Sequence, residues 1–368
     1  MPPPTTSDAL LEVIRRSGLV DEASLRTHLA SRPLPAEPCE CLEGLVEAGL
    51  VTGYQARLLL RGQAERFLIG DFKVQRPLGE GGMGKVYLAE RRSQPQRVAI
   101  KLLRRDQAHD EAARERFTRE ARAVVVMDHP NIVRIHEIHT RDASPYVVLE
   151  YVEGESLQQV LDREGKLPYP RAVTYALQVA RGLEHAHDRG VVHRDVKPEN
   201  LRVTGDGVVK ILDLGLARFI EDEEDAHAER QYGRVVVGSP DFVAPEQVRR
   251  RLDPRSDIYG LGATLYTLLV GRAPFAGLSR AEKLLAHAMW PAEPPHRLDP
   301  AIPAGLSACV MRMMAKEPDQ RHATFAEVIE ALSPWAKQAG ARPPRRWLVV
   351  AAAFAAAVAA AWGTWCAL

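Results

Sequence analysis

The rhythm of apolar and polar positions changes near residue 70. Residues 8–66 carry a helical pattern broken twice by the same element, Gly18-Leu19-Val20 in IRRSGLVDEASL and Gly49-Leu50-Val51 in VEAGLVTGYQARLL. Each break predicts a helix ending at glycine, a short hydrophobic link and a new N-cap, Asp21 or Thr52. Thr52 with Gln55 three positions on fits a capping box. Two helical hairpins in a weak repeat are therefore expected over residues 1–66. From Phe72 the chain reads as strands, FKVQRPLG, KVYLAE, RVAIKLLR, NIVRIHEIH and YVVLEYV, with one helix, DEAARERFTREARAVVVM, among them. After Gly154 the pattern turns helical again, as in RAVTYALQVARGLEHAHDRG. A mostly β segment ahead of a mostly helical one, joined by a short link at residues 150–154, predicts two lobes with a cleft between them. Residues 335–346 read as a linker.

The stretch LGEGGMGKVYLAE places Gly79, Gly81, Gly82 and Gly84 within six positions. Three phosphate loops compete for it. Gly79, Gly81 and Gly84 fit the dinucleotide pattern, and Gly79, Gly84 and Lys85 fit most of the P-loop pattern. The P-loop reading fails at Val86, which has no hydroxyl to hold magnesium. Both patterns also need a helix directly after the glycines, so that its N-terminus meets phosphate. Here Val86 and Tyr87 continue as a strand, and the segment before the glycines is a strand too. The result is a glycine hairpin, the third pattern, in which a flexible flap covers a nucleotide.

Composition narrows the rest. A chain of 368 residues suggests roughly two to three domains, and 46% apolar residues support a proper core. A net charge of +1 gives no large electrostatic footprint for nucleic acid. Residues 1–66 hold seven arginines, no lysine and nine acids, which disfavours a DNA-reading helix-turn-helix and leaves a small interaction module. Four scattered cysteines make no disulfide framework, and Cys39 with Cys41 offers two thiols where zinc takes about four ligands. The N-terminus lacks the basic and long apolar regions of a signal peptide. The far end differs. Residues 347–368 carry no charge and follow Arg342, Arg345 and Arg346, with Trp347, Trp362 and Trp365 near the two ends. Such a segment can span a hydrocarbon core of about 30 Å. The flanking arginines then place the preceding chain on the cytoplasmic side of a cell membrane.

The polar residues of the middle region suit phosphoryl transfer. Lys101 in VAIK lies on the strand after the glycine hairpin, where it can pair with α and β phosphates. It must be held, and the next helix offers Glu120, with Glu115 as rival. The loop HRDVKPEN gathers Asp195, Lys197 and Asn200: a carboxylate for the proton of an attacking hydroxyl, a cation for the transferring group and an amide oxygen for a metal ion. Asp213 in ILDLGLA follows another strand and can bind magnesium bridging the phosphates. Such chemistry needs positioning, cations on the equatorial oxygens and a base, and little else.

In this order the residues resemble a protein kinase, of the eukaryotic-like Ser/Thr type common in bacteria. The resemblance runs from about Phe72 to Leu332 and includes Gly79, Gly81, Gly84, Val86, Lys101, Glu120, HRDVKPEN, Asp213 to Gly215, the APE motif ending at Glu246, SDIYGLG with Asp257, and Arg321. It implies an α+β bilobal protein kinase fold, with a β-rich N-lobe and a helical C-lobe at residues 72–334, preceded by the small all-α module and followed by the linker and the transmembrane helix. It implies ATP and Mg2+ as cofactors and proteins with Ser/Thr acceptors as substrates. The nucleotide site would comprise Leu78, Gly79, Glu80, Gly81, Gly82, Met83, Gly84, Lys85 and Val86, with Ala99, Lys101, Glu120 and Leu201. Glu150 and Val152 would meet adenine through their backbone, beside Leu149 as gatekeeper. Asp195 and Lys197 would be catalytic, and Asn200 and Asp213 would hold metal. The resemblance also pairs Glu246 with Arg321 and stacks Val124, Ile135, His193 and Leu214 as an apolar spine. Lys197 favours Ser/Thr over Tyr as acceptor.

Departures from the pattern are mild. Leu214 replaces Phe, Phe242 stands where Tyr is usual, and Ser239 replaces Thr while keeping a hydroxyl for Asp195 and Lys197. Relatives are often switched on by phosphothreonine in the activation segment, paired with the arginine that is Arg194 here. Between Leu214 and Pro245 this chain has no threonine, and its only hydroxyls are Tyr232 and Ser239. It carries the acidic run EDEED at residues 221–225 and Glu229. The alternative function is a nucleotide-binding scaffold that recruits a partner through the N-terminal helices. A small-molecule kinase would usually lack the Glu246–Arg321 pair.

Overall fold

The computed structural model describes residues 3–31, 34–81, 84–94, 96–104, 108, 110–140, 145–214, 218–219, 239–249, 251 and 253–336; within them, the side chains of residues 65, 66, 112, 116, 120, 218 and 219 lie outside the described set, as does the rest of the chain. Gly82, Met83, Gly215, the acidic run, Tyr232, the linker beyond residue 336 and the apolar segment 347–368 fall outside it. Among the described residues no helix is long and apolar enough to cross a membrane.

The N-terminal segment forms four helices, α1 (Ser7–Ser17), α2 (Glu22–Ala30), α3 (Pro38–Glu47) and α4 (Gly53–Leu60). The expected punctuation is present. Gly18 caps α1 in the left-handed conformation at φ 60°, Asp21 caps α2 through the Ser24 N–H, and Thr52 and Gln55 form both halves of the capping box of α4. The two Gly-Leu-Val links turn apolar side chains inward, with Leu19, Val20 and Val51 all buried. They join Leu10, Ile14, Leu25, Leu45, Leu59 and Phe67 in a core of the module's own.

The β segment is a six-stranded antiparallel sheet in the order β1-β2-β3-β4-β6-β5. Its strands are β1 (Leu68–Ile69), β2 (Phe72–Gly81), β3 (Gly84–Arg91), β4 (Arg97–Leu103), β5 (Ile135–His139) and β6 (Tyr146–Glu150). Helix α5 (Glu111–Val125) packs against it. The expected glycine hairpin is the β2–β3 turn, with Gly79 opposite Val86 and Gly81 opposite Gly84. Glycine at position 84 is a packing requirement: a Cβ there would lie 1.8 Å from the Leu102 carbonyl oxygen of β4.

The second lobe is mainly helical. It contains α6 (Leu157–Glu164), α7 (Tyr169–His187), α8 (Pro245–Val248) and α9 (Ser256–Val270), followed by α10 (Arg280–Met289), α11 (Pro295–Leu298), α12 (Ala304–Met313) and α13 (Phe325–Ala336). Helix α9 is buried along nearly its whole length, as expected of a helix at the centre of a lobe. Small strands β7 (Glu155–Ser156), β8 (Val191–Val192), β9 (Leu201–Val203), β10 (Val209–Ile211) and β11 (Arg218–Phe219) form a three-stranded sheet in the order β10-β9-β7 and a β11-β8 pair. The β-then-helix order gives the two expected lobes, and the link after β6 passes between them.

Candidate active site

The HRDVKPEN loop follows β8 and is fixed from below by one buried carboxylate. Asp257, at the start of α9, accepts the His193 N–H at 2.8 Å, the Arg194 N–H at 2.7 Å and a bond from His187 Nε2 at 2.8 Å. Burial alone would raise the Asp257 pKa, but the bond and charge of His187 and the bonded N–H of His193 outweigh it and hold the group below the usual carboxylate range. His193 is itself buried, with Nδ1 accepting from the Asp195 N–H and Nε2 directed at the Leu212 carbonyl. That pattern specifies the neutral ring with its proton on Nε2. Arg194 adopts φ 66°, a left-handed conformation rare outside glycine, and its carbonyl accepts from Gln247 Nε2.

Above this support, Asp195 is surrounded by donors. Lys197 Nζ lies 2.7 Å from Oδ2, Asn200 Nδ2 lies 3.2 Å from Oδ2, and the Ser239 N–H donates to Oδ1 at 3.0 Å. A carboxylate offers about four acceptor sites, so donors among the described residues leave one open. Ser239 Oγ accepts from Lys197 at 2.6 Å. The expected hydroxyl contact to Lys197 is therefore made, whereas Asp195 is met by the Ser239 backbone instead. Asn200 turns its amide nitrogen to Asp195, which leaves Oδ1 as its acceptor atom.

Lys101 lies on β4 opposite Val86 and Val147, under the glycine hairpin. Its Nζ donates to Asp213 Oδ1 at 2.8 Å. The Lys101 charge holds the Asp213 carboxyl below its ordinary range, against the opposing effect of burial. Asp213 also has a left-handed backbone, at φ 51°. Glu120 lies within α5, but its side chain is outside the described residues, so the expected Lys101–Glu120 pair is too. The rival Glu115 is exposed. Ala99 is buried on β4 opposite Leu149. Val124, Ile135, Leu149 and Leu214 line a cavity together with Lys101 and Asp213, which brings three of the four expected spine residues to one place. Of the hairpin residues, Leu78, Gly79, Glu80, Lys85 and Val86 lie on the two strands. Glu80 and Lys85 form an exposed ion pair at 3.2 Å, a contact of small energetic weight.

Glu150 directs its N–H to the Arg134 carbonyl at 2.8 Å and its carboxylate to Lys210 and the Arg134 N–H. Its N–H is thus engaged within the fold, so the expected backbone contact would fall to its carbonyl; Val152, two residues on, is buried. One placement differs from expectation. Leu201 is not brought to the cleft. It sits opposite Ile211 in the core of the helical lobe, 1% exposed. Side chains alternate along a strand, so the neighbour Arg202 takes the other face and reaches the Gly154 carbonyl beside the interlobe link. An apolar side chain at the expected position made Leu201 the natural reading, and the alternation of β9 reverses it. Asp257's bond to His187 carries no sequence signal at all, since 70 residues separate them.

The Glu246–Arg321 pair forms as expected. Two bonds of 2.6–2.7 Å join the side chains, which are 5% and 0% exposed. Arg321 donates its remaining N–H groups to the carbonyls of Ala315, Arg255 and Lys316, and Ser256 Oγ donates to Glu246.

The protein kinase domain family matches residues 72–333. The serine/threonine-protein kinase pkn2 of Myxococcus xanthus is 40% identical over 272 residues, covering 72% of this chain and 32% of that protein. Pkn1 of the same organism is 39% identical over 268 residues, 72% of this chain and 38% of Pkn1. PrkC of Bacillus subtilis is 37% identical over 263 residues, 71% of this chain and 40% of PrkC. The chain thus spans between 32% and 40% of the length of these relatives. With two lobes, the catalytic loop and the Glu246–Arg321 pair in place over the matched region, this chain belongs to the protein kinase domain family, in its eukaryotic-like bacterial Ser/Thr branch.

Proposed function

We propose that this chain transfers the γ-phosphoryl group of ATP to Ser or Thr hydroxyls of proteins. The observation that carries the reading is the Asp195 cluster, in which a loop carboxylate with one open acceptor site lies between Lys197 and Asn200. Asp195 orients the acceptor hydroxyl and takes its proton as the new bond forms. Lys197, tied to both Asp195 and Ser239, stands where charge builds on the transferring group. The family uses ATP and a divalent metal, and the residues here suit both. Lys101 supplies a cation beside the hairpin, and Asp213 presents a carboxylate bonded to it at 2.8 Å. Asn200 Oδ1 and Asp213 would hold magnesium, which when bound neutralises charge across the phosphates. Incorporation of labelled γ-phosphate into a generic basic protein tests the proposal. A folded chain that binds nucleotide but transfers no label would instead establish the alternative, a nucleotide-binding scaffold. Intact Lys101, Asp195, Asn200 and Asp213 support the enzyme.

Control of this activity should not require Ser/Thr phosphorylation of the activation segment. Ser239, the one Ser or Thr between Leu214 and Pro245, already accepts from Lys197 through Oγ. Treating the purified kinase with a broad phosphatase, removing it and measuring initial rates should give an unchanged rate. A large drop, restored by autophosphorylation at Ser239, would refute this. Neutralising residues 221–225 to Gln and Asn then separates an acidic run that offsets Arg194 from one that is merely solvated, since only the former predicts a fall in rate.

The apolar segment 347–368 supports a membrane tether, with the kinase domain on the cytoplasmic side. The full chain should pellet with membranes and resist a high-salt wash, because apolar burial is insensitive to screening. A chain ending at Ala336 should stay in the supernatant and remain active. Recovery of the full chain mainly in the salt-washed soluble fraction would rule the tether out.

A further inference from the structure

The four-helix module reads from sequence as a platform for a partner, yet its best-defined polar contacts are made within the chain. The capping box of α4 is closed by the Gln55 N–H donating to Thr52 Oγ1 at 3.2 Å and the Thr52 N–H donating to Gln55 Oε1 at 2.8 Å. Each side chain then has donor capacity left over: the hydroxyl hydrogen of Thr52 and the amide nitrogen of Gln55. Both donate to β2. Thr52 Oγ1 donates to the Gln75 carbonyl at 2.7 Å, and Gln55 Nε2 donates to the Val74 carbonyl at 2.7 Å. Gln55 is only 2% exposed.

The sheet is prepared for this contact. Successive carbonyls of a regular strand face opposite edges, so one helix end could not meet two of them in a row. The β2–β3 register skips between Val74 and Arg76, leaving Gln75 as an extra, bulged residue. Both carbonyls thereby face α4. Strand β1 pairs only with Phe72 and Lys73, and α4 takes over the open edge at the next two residues. Tyr54 of α4 also lies beside Tyr87 of β3, with ring centroids 6.4 Å apart. Leu78 and Gly79 begin three residues beyond Gln75, and Tyr87 adjoins Val86. The hairpin is therefore gripped at its outer edge by α4, while Gly84 is seated against the Leu102 carbonyl on its inner side.

We propose that Thr52 and Gln55 are positioning residues for the nucleotide-binding hairpin, and that the helical module acts as a built-in brace of the ATP-binding lobe. The proposal rests on the kinase reading given above for what the hairpin covers. A glycine-rich hairpin loses conformational freedom when it closes over a nucleotide, and a fixed base reduces that loss. Weakening the brace should therefore lower nucleotide affinity and leave the chemical step, once nucleotide is bound, nearly unchanged.

The test uses the full chain. Gln55→Glu keeps the acceptor that closes the capping box but sets a carboxylate against the Val74 carbonyl. Thr52→Val removes the bond to Gln75 together with the cap on the Gln55 N–H, and Thr52→Ser restores the hydroxyl that makes both. Three quantities are read: KM for ATP and kcat on a generic basic protein, equilibrium binding of a fluorescent ATP analogue, and amide hydrogen exchange across residues 76–86. Gln55→Glu should raise KM and the analogue's Kd together by roughly three- to tenfold, the equivalent of one hydrogen bond. Its kcat should stay within about twofold, and exchange across the hairpin should quicken. Thr52→Val should act in the same direction and Thr52→Ser should bring the values back. Unchanged binding and hairpin exchange in folded variants would overturn the proposal, as would a fall in kcat alone. Should Gln55→Glu fail to fold, the Thr52 pair decides by the same criteria. Should the parent chain transfer no phosphate, the kinase reading fails, while analogue binding and exchange still decide the brace.

Discussion

Replacing Asp195 by Asn should lower phosphoryl transfer by about 10²–10⁴-fold, the usual worth of a positioned general base, while ATP affinity stays within a few-fold of the parent. The carboxamide can still accept the Ser239 N–H through Oδ1. Its nitrogen, however, would confront two donors, Lys197 Nζ and Asn200 Nδ2, which both address Oδ2 in the parent. The variant thus loses the proton acceptor, and with it the tie that places Lys197. The residues expected to hold the nucleotide, Lys101, Asp213 and the hairpin, are untouched. Single-turnover rates together with binding of a fluorescent nucleotide separate the two effects. Near-normal transfer would mean that the hydroxyl proton leaves by another route and that the loop has been assigned wrongly.

The second large effect is on stability. Arg321→Met should destabilise the kinase domain by about 3–5 kcal/mol, as expected when one partner of a buried ion pair is removed, and lower the melting temperature by roughly 10 °C for a domain of this size. All five guanidinium N–H donors are engaged in the parent, two on Glu246 and three on main-chain carbonyls. Methionine fills part of the volume but leaves a buried carboxylate supported only by Ser256 and three carbonyls without that donor. Adding Glu246→Leu removes the stranded charge and should recover a substantial part of the loss, because much of the penalty is uncompensated burial of the remaining carboxylate. Thermal unfolding of the parent, single and double variants measures this. A single variant within about 1 kcal/mol of the parent would show that the pair contributes little to folding.

What could be read in advance follows the range of the interactions. The glycine hairpin, the flanking strands and the Thr52–Gln55 capping box depend on residues within a few positions of one another. Periodicity and capping chemistry report such arrangements directly. The residues proposed for catalysis stand out as a set because each motif carries its own loop signature. Distant contacts were legible where a family motif names both partners, as for Glu246 with Arg321, and not elsewhere. Nothing about Gln55 announces that its amide meets a carbonyl 19 residues later, and nothing about His187 announces a bond to Asp257. The assignment of Leu201 failed for a smaller reason: a shift of one residue along β9 exchanges the core face for the cleft face. Ser239 shows an intermediate case, in which the contact with Asp195 was anticipated and the atom making it was not.

The position of the helical module also bears on how the sheet is made during synthesis. The core of the module draws entirely on residues 10–67, so it is complete in the nascent chain before β2 emerges. Helical units with local contacts fold quickly, whereas a sheet joining distant strands waits for its last member, here β6, some 70 residues after β2. During that wait a bare strand edge invites pairing with other chains. The edge at Val74 and Gln75 is met by a helix end that precedes it in the chain, an arrangement that would let the module cover this strand while the sheet is still incomplete.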